Sequence, residues 1–246
     1  MEKITKIALI AIGAGALLCL LSYFLVGGNW TGYNSKGNEH VSKTYESGTD
    51  IKKIEIDETS NEVNIVSADT DIVTIDYYDD PEKPLYEIEE KNGKLKFERN
   101  GRSVFKLVNI DFSRKDITVT IPKDYEGELD VEITSGAVRA DDITASKIKL
   151  DNTSGSIELY NVSSMGDIDI DNTSGSIEFK NLESGGDISI DNTTGSIEGS
   201  IVGSESDYSI STDVTAGSSN LPNTKGGSKK LNADTTAGSI EITFTE

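Results

Sequence analysis

A single cysteine, Cys19, leaves no partner for an intramolecular disulfide. A single histidine, His40, sits in a polar stretch near the N-terminus, so neither a His-based triad nor a cysteine nucleophile can be built in the rest of the chain. Six Phe and one Trp in 246 residues mean that the core must come from Ile, Leu and Val. Positive charge is also scarce. Lys and Arg number 23 against 43 Asp and Glu, a formal charge of -20. Nucleic acid is excluded as a partner, because phosphate backbones need clustered Lys and Arg. Anionic membrane surfaces and phosphate-rich wall polymers are repelled, whereas a cationic protein or peptide, or a divalent metal, is attracted.

Only one long apolar run exists. Residues 7–26, IALIAIGAGALLCLLSYFLV, carry no charge and are long enough to cross ~30 Å of hydrocarbon as a helix. Lys3 and Lys6 precede it, so the positive-inside rule puts residues 1–6 in the cytoplasm and everything after the run outside the cell. The expectation is a single-pass cell-membrane anchor. The rival is a cleaved signal peptide, but no A-x-A pattern follows the run. A lipoprotein reading of Cys19 meets Leu18 where a small residue is wanted. Residues 27–50 show no apolar periodicity and read as a polar tether.

What the chain does have is repetition. DNTSGSIELYNVSSMGDIDI at 151–170 is followed by DNTSGSIEFKNLESGGDISI at 171–190 and DNTTGSIEGSIVGSESDYSI at 191–210. A short T/S-x-G motif places glycines at 136, 155, 175, 195, 217 and 238. Self-similarity at about twenty residues marks a stacked repeat. Within each copy the apolar period is two: Ile168 and Ile170 alternate with Asp167, Asp169 and Asp171, and Ile177 and Phe179 alternate with Ser176 and Glu178. Each unit therefore reads as two short strands and two bends. Identical units stack best with like over like, which favours an all-β parallel β-solenoid of ~20-residue coils over a β-sandwich. Residues 133–246 are the regular coils. Residues 51–132 read as opening coils, with Asn61 at the glycine position, a hairpin about Asn92-Gly93 and two strands about a Pro122 turn.

Stacking makes columns. Asn152, Asn172 and Asn192 are expected as an internal ladder of side-chain amides bonded along the axis, one rung every ~4.8 Å. The same ladder covers the sequons at Asn152 and Asn172. Asp151, Asp171 and Asp191 are expected to point outward at the same spacing, with a repulsion on the order of 1 kcal/mol per neighbouring pair in water. That ladder must splay, take up protons or bind cations, and weak calcium binding there is the expectation. DIDIDNTSGSIE, 167–178, has Asp at positions 1, 3 and 5 and Glu at 12 like a calcium loop, but Asn172 and Ser174 depart from the pattern. No other cofactor is implied. Catalysis is not expected either, since residues 151–200 hold one basic residue, Lys180, against ten acids. NTKGGSKKL, 223–231, gathers positive charge in a loop that leaves the coil. The last coil shows no capping helix, so an open edge and edge-to-edge self-association are expected.

ITVTIPKDY at 117–125, LDVEITSGAVRA at 129–140 and the recurring SGSIEL and GGDISI strands resemble the bacterial putative-adhesin family, surface domains of unknown function. The resemblance covers about 51–246. It implies a single-chain right-handed β-solenoid, a setting near envelope-stress signalling in some members, and no catalytic residue. Together these readings point to a membrane-anchored, extracytoplasmic binding or scaffolding surface, with a sensor or sequestering role toward cationic peptides as the alternative and a polysaccharide-acting enzyme as the weakest.

Overall fold

The computed structural model describes residues 40–48, 50–100 and 116–245. The expected anchor at 7–26, with Cys19, lies outside them. Among the described residues no helix is long and apolar enough to cross a membrane.

Among the described residues seventeen strands follow one another: β1 Val41–Glu46, β2 Lys53–Glu58, β3 Val63–Ala68, β4 Thr74–Asp79, β5 Tyr86–Lys91, β6 Lys94–Arg99, β7 Ile117–Pro122, β8 Glu128–Ile133, β9 Val138–Ala145, β10 Lys147–Asn152, β11 Ile157–Ser164, β12 Ile168–Ser174, β13 Ile177–Ser184, β14 Ile188–Thr194, β15 Ile197–Val202, β16 Tyr208–Ser219 and β17 Lys229–Thr245. Parallel pairing joins them in two lines. The first runs β6-β2-β8-β10-β12-β14-β17-β16. The second runs β7-β3-β9-β11-β13-β15-β17. Like lies over like: Ile157, Ile177, Ile197 and Ile240 share one fully buried column, and Ile148, Ile168, Ile188 and Leu231 another. The alternation seen in the sequence is thus a packing device. Every second side chain enters one continuous apolar interior that a lone unit could not close.

Three features depart from the expected stack. First, three successive coils have an extra bend. In β11 and β13 the chain turns at Asn161 and Asn181, whose φ values are +52° and +55°, and Asp142 does the same in β9 at +52°. Asn and Asp tolerate this left-handed conformation because their short side chains bond locally. Here they form the exposed ladder of the fold: Asn161 Nδ2 donates to Asp142 Oδ1 at 2.8 Å, and Asn181 Nδ2 to Asn161 Oδ1 at 2.9 Å.

Second, the order of coils in space is not their order in the chain. At one end β2 and β3 insert between β6/β7 and β8/β9, and at the other β17 inserts between β14/β15 and β16. The reason at the second end is reach. β17 spans both lines and buries Leu231, Ala233, Ile240 and Ile242, whereas the chain leaves the stack after Ser219. The longer strand gains more by lying against the body.

Third, the residues expected as a tether include a strand. β1 pairs antiparallel with β4, and β4 antiparallel with β7, so this part of the first end is closed by reversed strands. The Asn92-Gly93 hairpin joins β5 to β6 as expected, with both turn residues at positive φ.

The glycine column is forced by geometry. Gly155, Gly175 and Gly195 have φ of +133°, +130° and +133°, and a Cβ on Gly175 would lie 2.0 Å from the Gly155 carbonyl oxygen. Stacked corners leave no volume for a side chain there.

Candidate functional site

Four residues before each of those glycines stands a carboxylate. Register aligns Glu98, Asp57, Glu132, Asp151, Asp171, Asp191, Asp234 and Asp213 in one column along the first line. Two residues further on, Thr153, Thr173, Thr193, Thr236 and Thr215 form a parallel row. Between the rows lies a trough of about 370 Å³, lined by Glu132, the column's aspartates from Asp151 to Asp213, these threonines and, at its floor, Asn152, Asn172 and Asn192. The sequence reading found the three central aspartates. Asp234 and Asp213 were missed because the last two repeats have lost the DNT spelling, although the offset from Gly238 and Gly217 is the same.

The three asparagines stack in register and are 3–4% exposed, but they do not bond one another. Each Nδ2 donates to the glycine carbonyl of the preceding coil: Asn152 to Gly136 at 3.3 Å, Asn172 to Gly155 at 3.2 Å and Asn192 to Gly175 at 2.9 Å. Their Oδ1 atoms accept nothing. The expected ladder of amides is therefore a ladder of amide-to-corner bonds, because the positive-φ glycine turns its carbonyl toward the next asparagine. The asparagines of both sequons are buried with it.

Charge along the column is not uniform. In the first coils Lys53 Nζ lies 3.1 Å from both Glu55 and Asp130, Lys94 lies 2.7 Å from Glu55, Lys96 pairs with Glu98, and Lys149 pairs with Asp151. Past Lys149 no ion pair with Asp171, Asp191, Asp234 or Asp213 forms among the described residues, and Asp169 adds a further acid beside them. Burial, followed by the charges of Asp169, Asp151 and Asp191, lifts the Asp171 carboxyl to about 6. Burial, then Asp234 and Asp169, also raises Asp191. Protonation is thus one relief that this geometry provides. Among the described residues no group of three or more His, Cys, Asp or Glu side chains is disposed to hold a metal ion, so the calcium expected at Asp151, Asp171 and Asp191 finds a ladder rather than a closed ligand set.

Residues 220–228 leave the coil as a loop, as expected, but Lys229 and Lys230 already belong to β17. Lys229 Nζ donates to the Ser184 carbonyl at 2.5 Å and sits 5.5 Å from the centre of the Tyr208 ring, and Lys230 lies 3.7 Å from Asp187. Lys229 is half-buried against the stack, whereas Lys230 stays exposed. Asn220 closes the edge of β17: its Nδ2 donates to the Ile242 carbonyl at 2.9 Å, and the Ile242 N–H donates to its Oδ1 at 3.0 Å. A side-chain amide there takes the place of a neighbouring strand.

Two regions of the chain, 51–138 and 126–245, match the family model described as Toastrack DUF4097. The fold is similar to that of a "putative cell adhesion protein" from Clostridium sporogenes, at 13% identity and TM-score 0.55, covering 84% of this chain and 100% of that one. It also matches a "putative adhesin" from Parabacteroides distasonis at 15% identity and TM-score 0.37, over 84% of this chain and 98% of that one. No curated protein matches the sequence.

Proposed function

Because the chain belongs to the Toastrack DUF4097 family, we propose that it works without catalysis, as an adhesin-like binding or scaffolding surface outside the cell membrane. In this reading residues 7–26 form the single membrane-crossing helix, residues 1–6 stay in the cytoplasm, and the coils wind with the right hand that the family resemblance implies. The cell-adhesion description of the Clostridium sporogenes protein, which has the same fold, fits this role. The contact surface is the trough, and its ligand is a cationic segment of a protein or a cationic peptide.

One observation carries the reading. From Asp171 to Asp213 the trough keeps four stacked carboxylates with no basic partner among the described residues, beside a row of hydroxyls. Repulsion within that row disfavours the empty state, and a positively charged ligand relieves it. Long-range attraction also raises the encounter rate of such a ligand. The alternative role, sensing or sequestering cationic peptides under envelope stress, uses the same trough and differs in what happens after binding. Fluorescent hexalysine titrated against the full chain tests both. We expect binding that weakens steeply with salt, and Asp171→Asn with Asp191→Asn lowers affinity about tenfold, a loss of ~1.4 kcal/mol. Salt-independent binding, or full affinity in the double variant, would overturn the trough as the site.

A further inference from the structure

The far end of the first line is β16, and its outer edge is only half closed. Ile210 donates its N–H to Thr224 Oγ1 at 3.2 Å and accepts from the Thr224 N–H at 2.9 Å, and the Thr212 N–H donates to Asn223 Oδ1 at 2.6 Å. These bonds come from residues 220–227, which cross the edge as a strap. They also show which residues of β16 face outward. Residues of one parity turn both backbone groups to the same side of a strand. Ile210 and Thr212 face out, so Val214 does too, and past the corner the outward donor is the Gly217 N–H, as the Gly155 and Gly195 N–H groups face the next coil. The intervening Asp213 turns its N–H the other way and donates to Asp234 Oδ1 at 2.7 Å. The strap reaches no further than Thr212. Asp213, Thr215, Ala216, Gly217 and Ser218 are exposed, and β16 pairs only with β17 among the described strands. The outward carbonyl of Thr212, both outward groups of Val214 and the Gly217 N–H form a short, bare template for strand addition.

The charge at that edge selects what fits. A strand added there continues the columns, so one of its side chains stands beside Asp213 as Asp213 stands beside Asp234. Asp213 is the last rung of the acidic column, and neither it nor Asp234 has a basic partner among the described residues. A further carboxylate at that position, as a second copy in parallel register would bring, adds repulsion; a lysine or arginine directly across is stabilising. The next outward position faces Thr215, which suits a hydroxyl or a β-branched residue.

We propose that the Thr212–Ser218 half-edge of β16 takes up an extended basic segment of a partner protein as an added strand, with a Lys or Arg beside Asp213. The strap limits the added strand to this half and so prevents the stack from growing along its whole edge. The proposal rests on the reading that the ligand is cationic and binds the trough; it extends that contact past Asp213 to the end of the stack and adds backbone hydrogen bonds to charge.

The test uses the full chain and a fluorescein-labelled peptide, Thr-Lys-Val-Thr-Val-Lys-Thr. Two N-methylated versions, one for each alternate set of amides, keep the charge and lose the donors on one edge. Val214→Pro removes the central outward donor, at an edge position where proline is tolerated. We expect Val214→Pro and one of the N-methylated peptides each to weaken binding about tenfold. If the Asp171→Asn plus Asp191→Asn variant loses binding while Val214→Pro and both methylated peptides bind as before, the trough reading stands and the edge proposal falls. If no version binds, both fall. A dimer of the chain alone that Val214→Pro abolishes would make a second copy the occupant and overturn the proposal. Circular dichroism checks that Val214→Pro is folded; if it is not, the methylated peptides decide.

Discussion

Glu58 and Asn172 occupy the same column of the stack, and their surroundings are opposite. Glu58, in the opening coils, is fully buried and saturated. Its Oε1 accepts from the N–H groups of Thr59, Ser60 and Asn61 at 2.8, 2.9 and 3.3 Å and from Arg99 at 2.9 Å, and its Oε2 accepts from the Tyr86 hydroxyl at 2.8 Å. Burial first, then the Glu58 charge, holds the Tyr86 hydroxyl well above the ordinary tyrosine range. Asn172, in the regular coils, makes one bond and leaves Oδ1 unpartnered. The opening coils spend varied residues on one satisfied network, with Tyr77, Tyr86 and Phe97 packed around it at centroid distances of 4.6–5.5 Å. The regular coils repeat one partly satisfied solution. Repetition places every deficit on top of its own copy, both the lone acceptors inside and the like charges outside. The surface that repetition leaves short of partners is the surface available to a ligand.

Breaking the network should have the largest effect. Glu58→Ala leaves the Arg99 guanidinium, which is 20% exposed, and three N–H groups without their acceptor, and we expect a loss of about 3 kcal/mol or more in urea unfolding. A loss below ~1 kcal/mol would show that the opening coils are no better tied than the rest.

Asp171→Asn probes the other region and should act in the opposite direction. Burial lifts the folded-state Asp171 carboxyl to about 6, above the ordinary aspartate value of 3.8. The native state therefore holds the proton more tightly than the unfolded chain. This group's contribution is full below ~4 and is lost as pH rises through about 6. The wild type thus carries a penalty at pH 7 that Asn172's neighbour would not carry as an amide. We expect the variant to be more stable at pH 7 by ~1 kcal/mol, with the difference shrinking as pH falls and closing near pH 4. Melting curves at both pH values check this, and a difference that grows on acidification would refute it.

The smallest effect sharpens the comparison inside one column. Thr235 occupies the asparagine position in β17 and donates its Oγ1 to the Gly195 carbonyl at 3.3 Å. Asn172→Thr copies it, keeps the corner bond and removes an orphaned acceptor, so stability should stay within ~0.5 kcal/mol of wild type by urea unfolding. A loss of ~2 kcal/mol would mean that the amide oxygen has a partner, such as a buried water.

Much of the regular region was legible because its signals are local. Period-two alternation set which isoleucines point inward, the T/S-x-G spacing set the coil length, and Asn92-Gly93 announced its own turn. The extra bend was written at Asn161 and Asn181 but was hidden by its ordinary polarity, since an exposed Asn in a strand looks like any solvated residue. The same limit applied to the acidic column. Three of its rungs share the DNT spelling, while Glu98, Asp57 and Glu132 belong to it only through pairings between distant strands.

Parity along the chain was enough to settle the type of structure, the inward face of each strand and the acidity of the surface, because these depend on neighbours two residues apart. The order of coils at both ends, the half-closed edge of β16 and the contrast between paired and unpaired carboxylates emerged only on folding. Strands of similar pattern, such as SISTDVTAGSS and KLNADTTAGSI, compete for the same place, and the one that buries more apolar surface across both lines takes it.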